Sequence, residues 1–178
     1  VYPHIGFDEM HFIDYFDQTK ILREYITDQE LYDKIIKRYE NRKNNEKLFF
    51  MGITMQNHGG YTETYDNFPE NYYKVGRSYT DANQYLSLVH ESDEAVKNLI
   101  SYFSKVDDPV EIIFFGDHQP SLNSNFYPIL NGKGLTGLTE DELEKLYTVP
   151  FFIWTNYDTP EETVDITSLD YLSTMALE

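Results

Sequence analysis

Two short clusters in this sequence carry residue types that do chemistry: Gly116-Asp117-His118 and Gln56-Asn57-His58-Gly59-Gly60. An adjacent Asp-His pair offers a hard anionic oxygen beside an imidazole nitrogen, a combination that suits a divalent metal. Gly116 lets the backbone turn so that Asp117 and His118 can face one site. Two donors fall short of the three or four protein ligands of a complete tetrahedral site. The same tripeptide also reads as a plain turn, with Asp117 capping the approach to Pro120 and His118 solvated. His58, between Asn57 and two glycines, is suited to gripping an anionic group or protonating a leaving group. Gly59 and Gly60 would let backbone N–H groups approach a phosphate. The alternative is a Gly-rich turn whose histidine bonds a backbone carbonyl. His4, His11 and His90 have no comparable setting.

Other chemistries find no support. No phosphate-binding P-loop, dinucleotide glycine fingerprint or Gly-x-Ser-x-Gly elbow occurs. Cysteine is absent, which removes disulfides, thiol nucleophiles and cysteine zinc sites. The acidic pairs, such as Asp107-Asp108 and Glu161-Glu162, read as caps and solvated faces. Only Asp117 among the carboxylates falls at a strand end, so a two-carboxylate glycosidase is weakly supported. Fourteen Lys and Arg against 31 Asp and Glu leave a net charge of −17. That field repels phosphate backbones and argues against nucleic acid as a partner. It also offers no basic patch to anionic headgroups. No apolar run approaches the roughly twenty residues that span a bilayer. The 16 tyrosines and 12 phenylalanines read first as core and rim aromatics, and second as a sugar- or lipid-contacting surface.

The elements that must position these clusters can be read from periodicity. Residues 1–26 look irregular. Thr27 to Glu30 has the spacing of a capping box, and Leu31, Ile35 and Tyr39 follow on one helical face to about Asn41. Residues 48–55 form a near-continuous apolar run, which predicts a strand buried on both faces and ending at the His58 cluster. A second helix begins near Asp81 and carries Ala82, Leu86, Val89, Val96, Leu99 and Phe103 until Asp107-Asp108-Pro109 stops it. Residues 110–115 read as another buried strand, ending at Gly116-Asp117-His118. Residues 121–138 are loop-like. Thr139 to Glu142 is a second capping box, opening a helix to about Leu146. Residues 149–155 predict a third strand, and residues 167–177 a weak final helix.

Helix and strand alternate throughout. The expected fold class is therefore α/β, a largely parallel sheet with helices on both faces. Three strands make a small sheet, which implies an incomplete portion of a larger fold. In parallel sheets, sites form at the carboxyl ends of strands, so His58 is expected near Asp117 and His118.

Three stretches together resemble one family. They are Tyr2-Pro3-His4-Ile5-Gly6-Phe7-Asp8-Glu9, Thr54-Met55-Gln56-Asn57-His58-Gly59-Gly60-Tyr61 and Phe114-Phe115-Gly116-Asp117-His118-Gln119-Pro120-Ser121. In this order and spacing they look like the extracellular catalytic domain of the lipoteichoic acid synthase family, a branch of the sulfatase and alkaline phosphatase superfamily. The resemblance implies that Asp117 and His118 are metal ligands, with Mn²⁺ the typical ion and other divalent metals possible. It implies that His58, beside Asn57, contacts the substrate phosphate. It implies a metal-dependent transferase or hydrolase acting on a phosphodiester or sulfate ester, the family enzymes moving glycerol phosphate from phosphatidylglycerol through a phospho-threonine intermediate. The partners implied are an anionic lipid or a glycan-polymer acceptor, on the outer face of a bacterial membrane. In the family, the nucleophilic Thr, a further acidic ligand and the membrane helices lie upstream of the segment that starts here at Tyr2. The expectation is thus a single unit, 1–178, forming the C-terminal half of that catalytic domain and inactive alone. A non-catalytic glycan- or envelope-binding module is the competing expectation, and oligomeric state is open.

Overall fold

Helix α1, Asp28–Glu40, starts where its cap predicts: the Glu30 N–H donates to the Thr27 hydroxyl at 3.2 Å. The reciprocal half of the box is not made. The Glu30 carboxylate instead accepts the Asp17 N–H at 2.9 Å and pairs with Lys34 at 3.4 Å. It thereby ties the N-terminal segment to the helix. The computed structural model describes residues 2–68 and 79–177, which form two compact units, 1–100 and 101–178.

In the first unit, two 3₁₀ turns (Tyr2–Ile5 and Ile13–Tyr15) precede a small antiparallel hairpin. Its strands are β1, Ile21–Leu22, and β2, Tyr25–Ile26, with Leu22 opposite Tyr25. Arg23 and Glu24 make the two-residue turn. Arg23 has φ of 55°, a left-handed conformation that glycine normally supplies at this position of a hairpin turn. Helix α2, Thr80–Phe103, buries Gln84, Leu88, Ser92, Ala95, Leu99 and Phe103 at three- and four-residue steps, with Ala82 and Ser87 beside them. Most of that stripe is apolar core, but Gln84 and Ser92 are polar and fully engaged, as described below.

Residues 48–55 differ from expectation. They form no ladder among the described residues, and Phe49, Met51, Ile53 and Met55 remain exposed. A doubly buried strand requires hydrogen-bonding neighbours on its edges and packing on both faces. Here packing is visible at Gly52, where a Cβ would stand 2.9 Å from Leu31 Cδ2 of α1.

In the second unit, β3, Glu111–Phe115, pairs with β4, Phe151–Thr155. The pairing is antiparallel, with Ile113 opposite Ile153. The expectation of a largely parallel sheet is therefore corrected for this pair, although the α/β class stands. Ile112 and Phe114 of β3 are half-buried, and Phe114 stacks on Phe152 at 5.2 Å. Ile113 and Phe115 are exposed, so β3 is covered on one face rather than two. Short helices α3 (Tyr127–Asn131), α4 (Glu140–Glu144) and α5 (Leu172–Met175) complete the unit. The capping box of α4 is complete, with Thr139 and Glu142 bonded reciprocally.

Asn156 fixes the entry to β3. Its side-chain N–H groups face the carbonyls of Phe103, Val106 and Asp108 at 3.2, 3.1 and 2.9 Å. Its Oδ1 accepts the Val110 N–H at 2.7 Å. One side chain thus closes the turn that Asp107-Asp108-Pro109 opens.

Candidate functional site

The His58 cluster is built on a buried polar scaffold in the first unit. The His58 N–H closes a turn onto the Met55 carbonyl at 3.0 Å. Three successive carbonyls after that turn begins are then held by side chains. Arg23 Nη2 donates to Gln56 O at 2.9 Å and to His58 O at 2.7 Å. The Tyr61 hydroxyl donates to Asn57 O at 2.7 Å. Arg23 itself is buried, and its Nη1 donates to Gln84 Oε1 of α2 at 3.1 Å. The rings of Tyr25, Tyr61 and Tyr65 surround its guanidinium at 5.6, 5.4 and 6.0 Å.

A second set of contacts holds the side chains. Gln56 is buried; its Oε1 accepts the Asp28 N–H at 3.0 Å, at the start of α1. The Ser92 hydroxyl of α2 accepts from Asn57 Nδ2 at 2.8 Å and from Gln56 Nε2 at 3.2 Å. It donates to the Asp28 carboxylate. Burial pushes the Asp28 carboxyl above its ordinary range, and the hydroxyls of Ser92 and Thr54 oppose that rise.

This scaffold leaves His58 exposed at the rim. Its Nδ1 is 3.2 Å from the Tyr25 hydroxyl. Asn57, by contrast, is half-buried and spends its amide N–H on Ser92, so it works here as an anchor of the loop. Sequence reading singled out His58 and Asn57 but missed Arg23, Tyr25, Gln84 and Ser92. The one local signal was an arginine inside an aromatic stretch. The α2 partners lie some thirty to sixty residues away in sequence, and no spacing rule reaches them.

The second cluster follows β3. The Gly116 N–H bonds Pro150 O at 3.1 Å. A Cβ on Gly116 would meet Val149 Cβ at 3.1 Å, so close packing favours glycine here, while its φ lies outside the left-handed region that would demand one. Asp117 and His118 then project into solvent. Asp117 Oδ1 accepts the His118 N–H at 2.8 Å. His118 Nδ1 is 2.9 Å from the Gln119 carbonyl. A carbonyl only accepts, so Nδ1 carries a proton. Nε2 stands 3.4 Å from Asp117 Oδ2. With a second proton the ring forms an ion pair with the carboxylate, and as the neutral imidazole it turns a lone pair toward Oδ2, where a cation between the two would be held. A backbone carbonyl that fixes the histidine tautomer is also the usual second-shell partner of a metal-bound imidazole. The donor chemistry therefore fits a divalent ion. Among the described residues no group of three or more His, Asp or Glu side chains gathers, so the pair by itself supplies two donors.

The structure thus unites Asp117 with His118 in the second unit, and His58 with Asn57, Arg23 and Tyr25 in the first.

Comparison with known proteins supplies the context. The sequence profile of the sulfatase family matches residues 1–177. The capsular polysaccharide biosynthesis protein RkpI of Rhizobium meliloti (strain 1021) is 33% identical over 124 residues, which are 68% of this chain and 21% of that protein. A putative cyclic beta-1,2-glucan modification protein of the same strain is 25% identical over 186 aligned residues, covering 100% of this chain and 28% of its own length. This chain spans less than a third of either curated relative. Among solved structures, Streptococcus pyogenes phosphoglycerol transferase GacH in complex with sn-glycerol-1-phosphate superposes with a TM-score of 0.58 at 21% identity, over 87% of this chain and 38% of that one. That likeness establishes a shared fold.

Proposed function

The chain belongs to the sulfatase family, and from that premise we propose that it is part of an enzyme that transfers or hydrolyses a phosphoryl-linked group, with phosphodiesters such as phosphatidylglycerol as the substrate class. The observation that carries the reading is the exposed Asp117–His118 pair, whose Oδ2 and Nε2 face each other at 3.4 Å with Nδ1 turned to a carbonyl. Asp117 and His118 would hold a divalent ion, Mn²⁺ by resemblance, together with ligands from outside these residues. When bound, that ion would neutralise charge on the phosphoryl oxygens. It would also offset the repulsion between a protein of net charge −17 and an anionic substrate.

The chain's own residues supply the rest of the reading. His58 stands at the rim of a rigid loop and would donate an N–H to a phosphoryl oxygen. Asn57 holds that loop. The nucleophilic Thr and the membrane attachment would come from residues beyond this segment, and the 178 residues alone would turn over no lipid. The acceptor would be a glycan or envelope polymer on the outer face of a bacterial membrane. The names of the two curated relatives, which concern capsular polysaccharide and cyclic glucan, support an envelope setting.

The test is a calorimetric Mn²⁺ titration of the whole sulfatase domain beside its Asp117→Ala variant. One-to-one binding that the substitution abolishes is the expected result. Binding indifferent to Asp117 would overturn the metal assignment and favour an envelope-binding module.

A further inference from the structure

We infer that the hairpin of β1 and β2 is a clamp that orients His58, with Arg23 and Tyr25 as positioning residues. Arg23 occupies a turn position with φ of 55°, where glycine is favoured. A side chain held in that conformation persists only when its surroundings over-determine it. Here the surroundings are the carbonyls of Gln56 and His58, Gln84 Oε1 and three tyrosine rings. The guanidinium is planar and forked, so one group bridges two carbonyls two residues apart; an ammonium would do so poorly. The left-handed turn is thus the geometry that sends the Arg23 side chain under the His58 loop.

Two residues later, the same hairpin places the Tyr25 hydroxyl 3.2 Å from His58 Nδ1, with ring centroids 5.7 Å apart. A tyrosine hydroxyl both donates and accepts, and the proton sits on Nε2 when Tyr25 is the donor to Nδ1. The clamp therefore sets the loop's backbone through Arg23 and the imidazole's rotation through Tyr25, with Tyr25 as donor the arrangement the experiment reads. Pre-setting both removes an ordering cost from anion binding. The anion-donor role of this N–H rests on the function proposed above, whereas the clamp itself is a property of the free protein.

The experiment is nitrogen-15 NMR of the histidine-labelled protein, free and titrated with sn-glycerol-1-phosphate. In the wild type, His58 shows the Nε2–H tautomer and its ring signals move with the probe. Tyr25→Phe returns Nδ1 to the shift of an unbonded imidazole and weakens the probe by about threefold to tenfold, the worth of one hydrogen bond. Arg23→Lys weakens it by a similar factor while moving the amide signals of residues 56–58. If Arg23→Lys fails to fold, Tyr25→Phe decides alone, since it deletes one half-buried hydroxyl. An unchanged Nδ1 shift in Tyr25→Phe overturns the clamp, whatever the probe does. A wild-type His58 that ignores the probe, with Nδ1 still responding to Tyr25→Phe, upholds the clamp and removes the anion-donor role.

Discussion

Ser92 on α2 donates its hydroxyl proton to the buried carboxylate of Asp28 on α1, 2.5 Å away. Its two lone pairs accept from Asn57 and Gln56. A single hydroxyl thus uses every hydrogen-bonding capacity it has, and it ties both helices to the loop that ends in His58. Ser92→Ala takes away the partner of a buried carboxylate oxygen and of the Asn57 amide, while Gln56 Nε2 keeps Asn57 Oδ1 at 3.3 Å. The expected loss is about 2–6 kcal/mol, since each of the two unsatisfied groups costs about 1–3. Urea unfolding of the two proteins measures it, and a loss below about 0.5 kcal/mol would show that solvent reaches the network.

Asp28 gives the network a pH dependence. Burial raises its pKa in the folded state above the unfolded value of 3.8. Below the unfolded value both states are protonated and the group contributes no difference. As pH rises from there, the unfolded chain ionises first, so this group progressively lowers stability until the folded state ionises too. Asp28→Asn cannot ionise. Its midpoint of unfolding is expected to gain on the wild type as pH rises from about 4, then to run parallel. Paired unfolding curves across that range cancel the other carboxylates, and a difference independent of pH would contradict the sign.

Much of this was legible in sequence, and the reasons are local. The Thr27 and Thr139 caps place α1 and α4, because capping is settled within four residues. The 3.6-residue stripe places α2, and Asp107-Asp108-Pro109 places its end. What failed depends on distant partners. Residues 48–55 have the composition of a central strand but find no ladder among the described residues. The orientation of β4 is set by its pairing with β3, which apolar runs do not encode. Asp117 and His118 were visible because Gly, Asp and His follow a strand, and His58 because it stands beside two glycines after an apolar run. Arg23 was not, because its role requires knowing that its turn lies beneath a loop thirty-three to thirty-five residues later.

The metal role proposed for Asp117 and His118 makes a separate prediction. His118 turns Nδ1 to Gln119 O and Nε2 toward Asp117 Oδ2. His118→Ala and Asp117→Asn in the whole domain are each expected to weaken Mn²⁺ by at least about tenfold. The double variant should lose little more, because the two donors act on one ion. Additive losses in calorimetry would indicate two independent weak sites.

His58 itself is exposed, so its removal should leave the fold intact. His58→Ala is expected to weaken sn-glycerol-1-phosphate by about tenfold or more, the worth of a hydrogen bond to a charged group. The unfolding midpoint should stay within about 0.5 kcal/mol of the wild type. Loss of stability with unchanged probe affinity would reverse the assignment and make His58 a structural residue.

Asn156 carries the last prediction. It occupies no chemistry-bearing motif, yet it satisfies carbonyls at the end of α2 and in the turn, and it takes the Val110 N–H that begins the approach to β3. Asn156→Ala leaves at least two of those groups without a protein partner at a partly buried turn. The expected loss is about 2–3 kcal/mol. Because β3 leads directly into Gly116, Asp117 and His118, its displacement should also loosen the pair that is now 3.4 Å apart. Mn²⁺ affinity of the whole domain is therefore expected to fall several-fold even under conditions where the variant remains folded. Asn156→Asp keeps the acceptor for Val110 but loses the donors, so it should recover only part of either property. Full metal affinity in a folded Asn156→Ala would show that Asp117 and His118 are positioned by Gly116 and Gln119 alone.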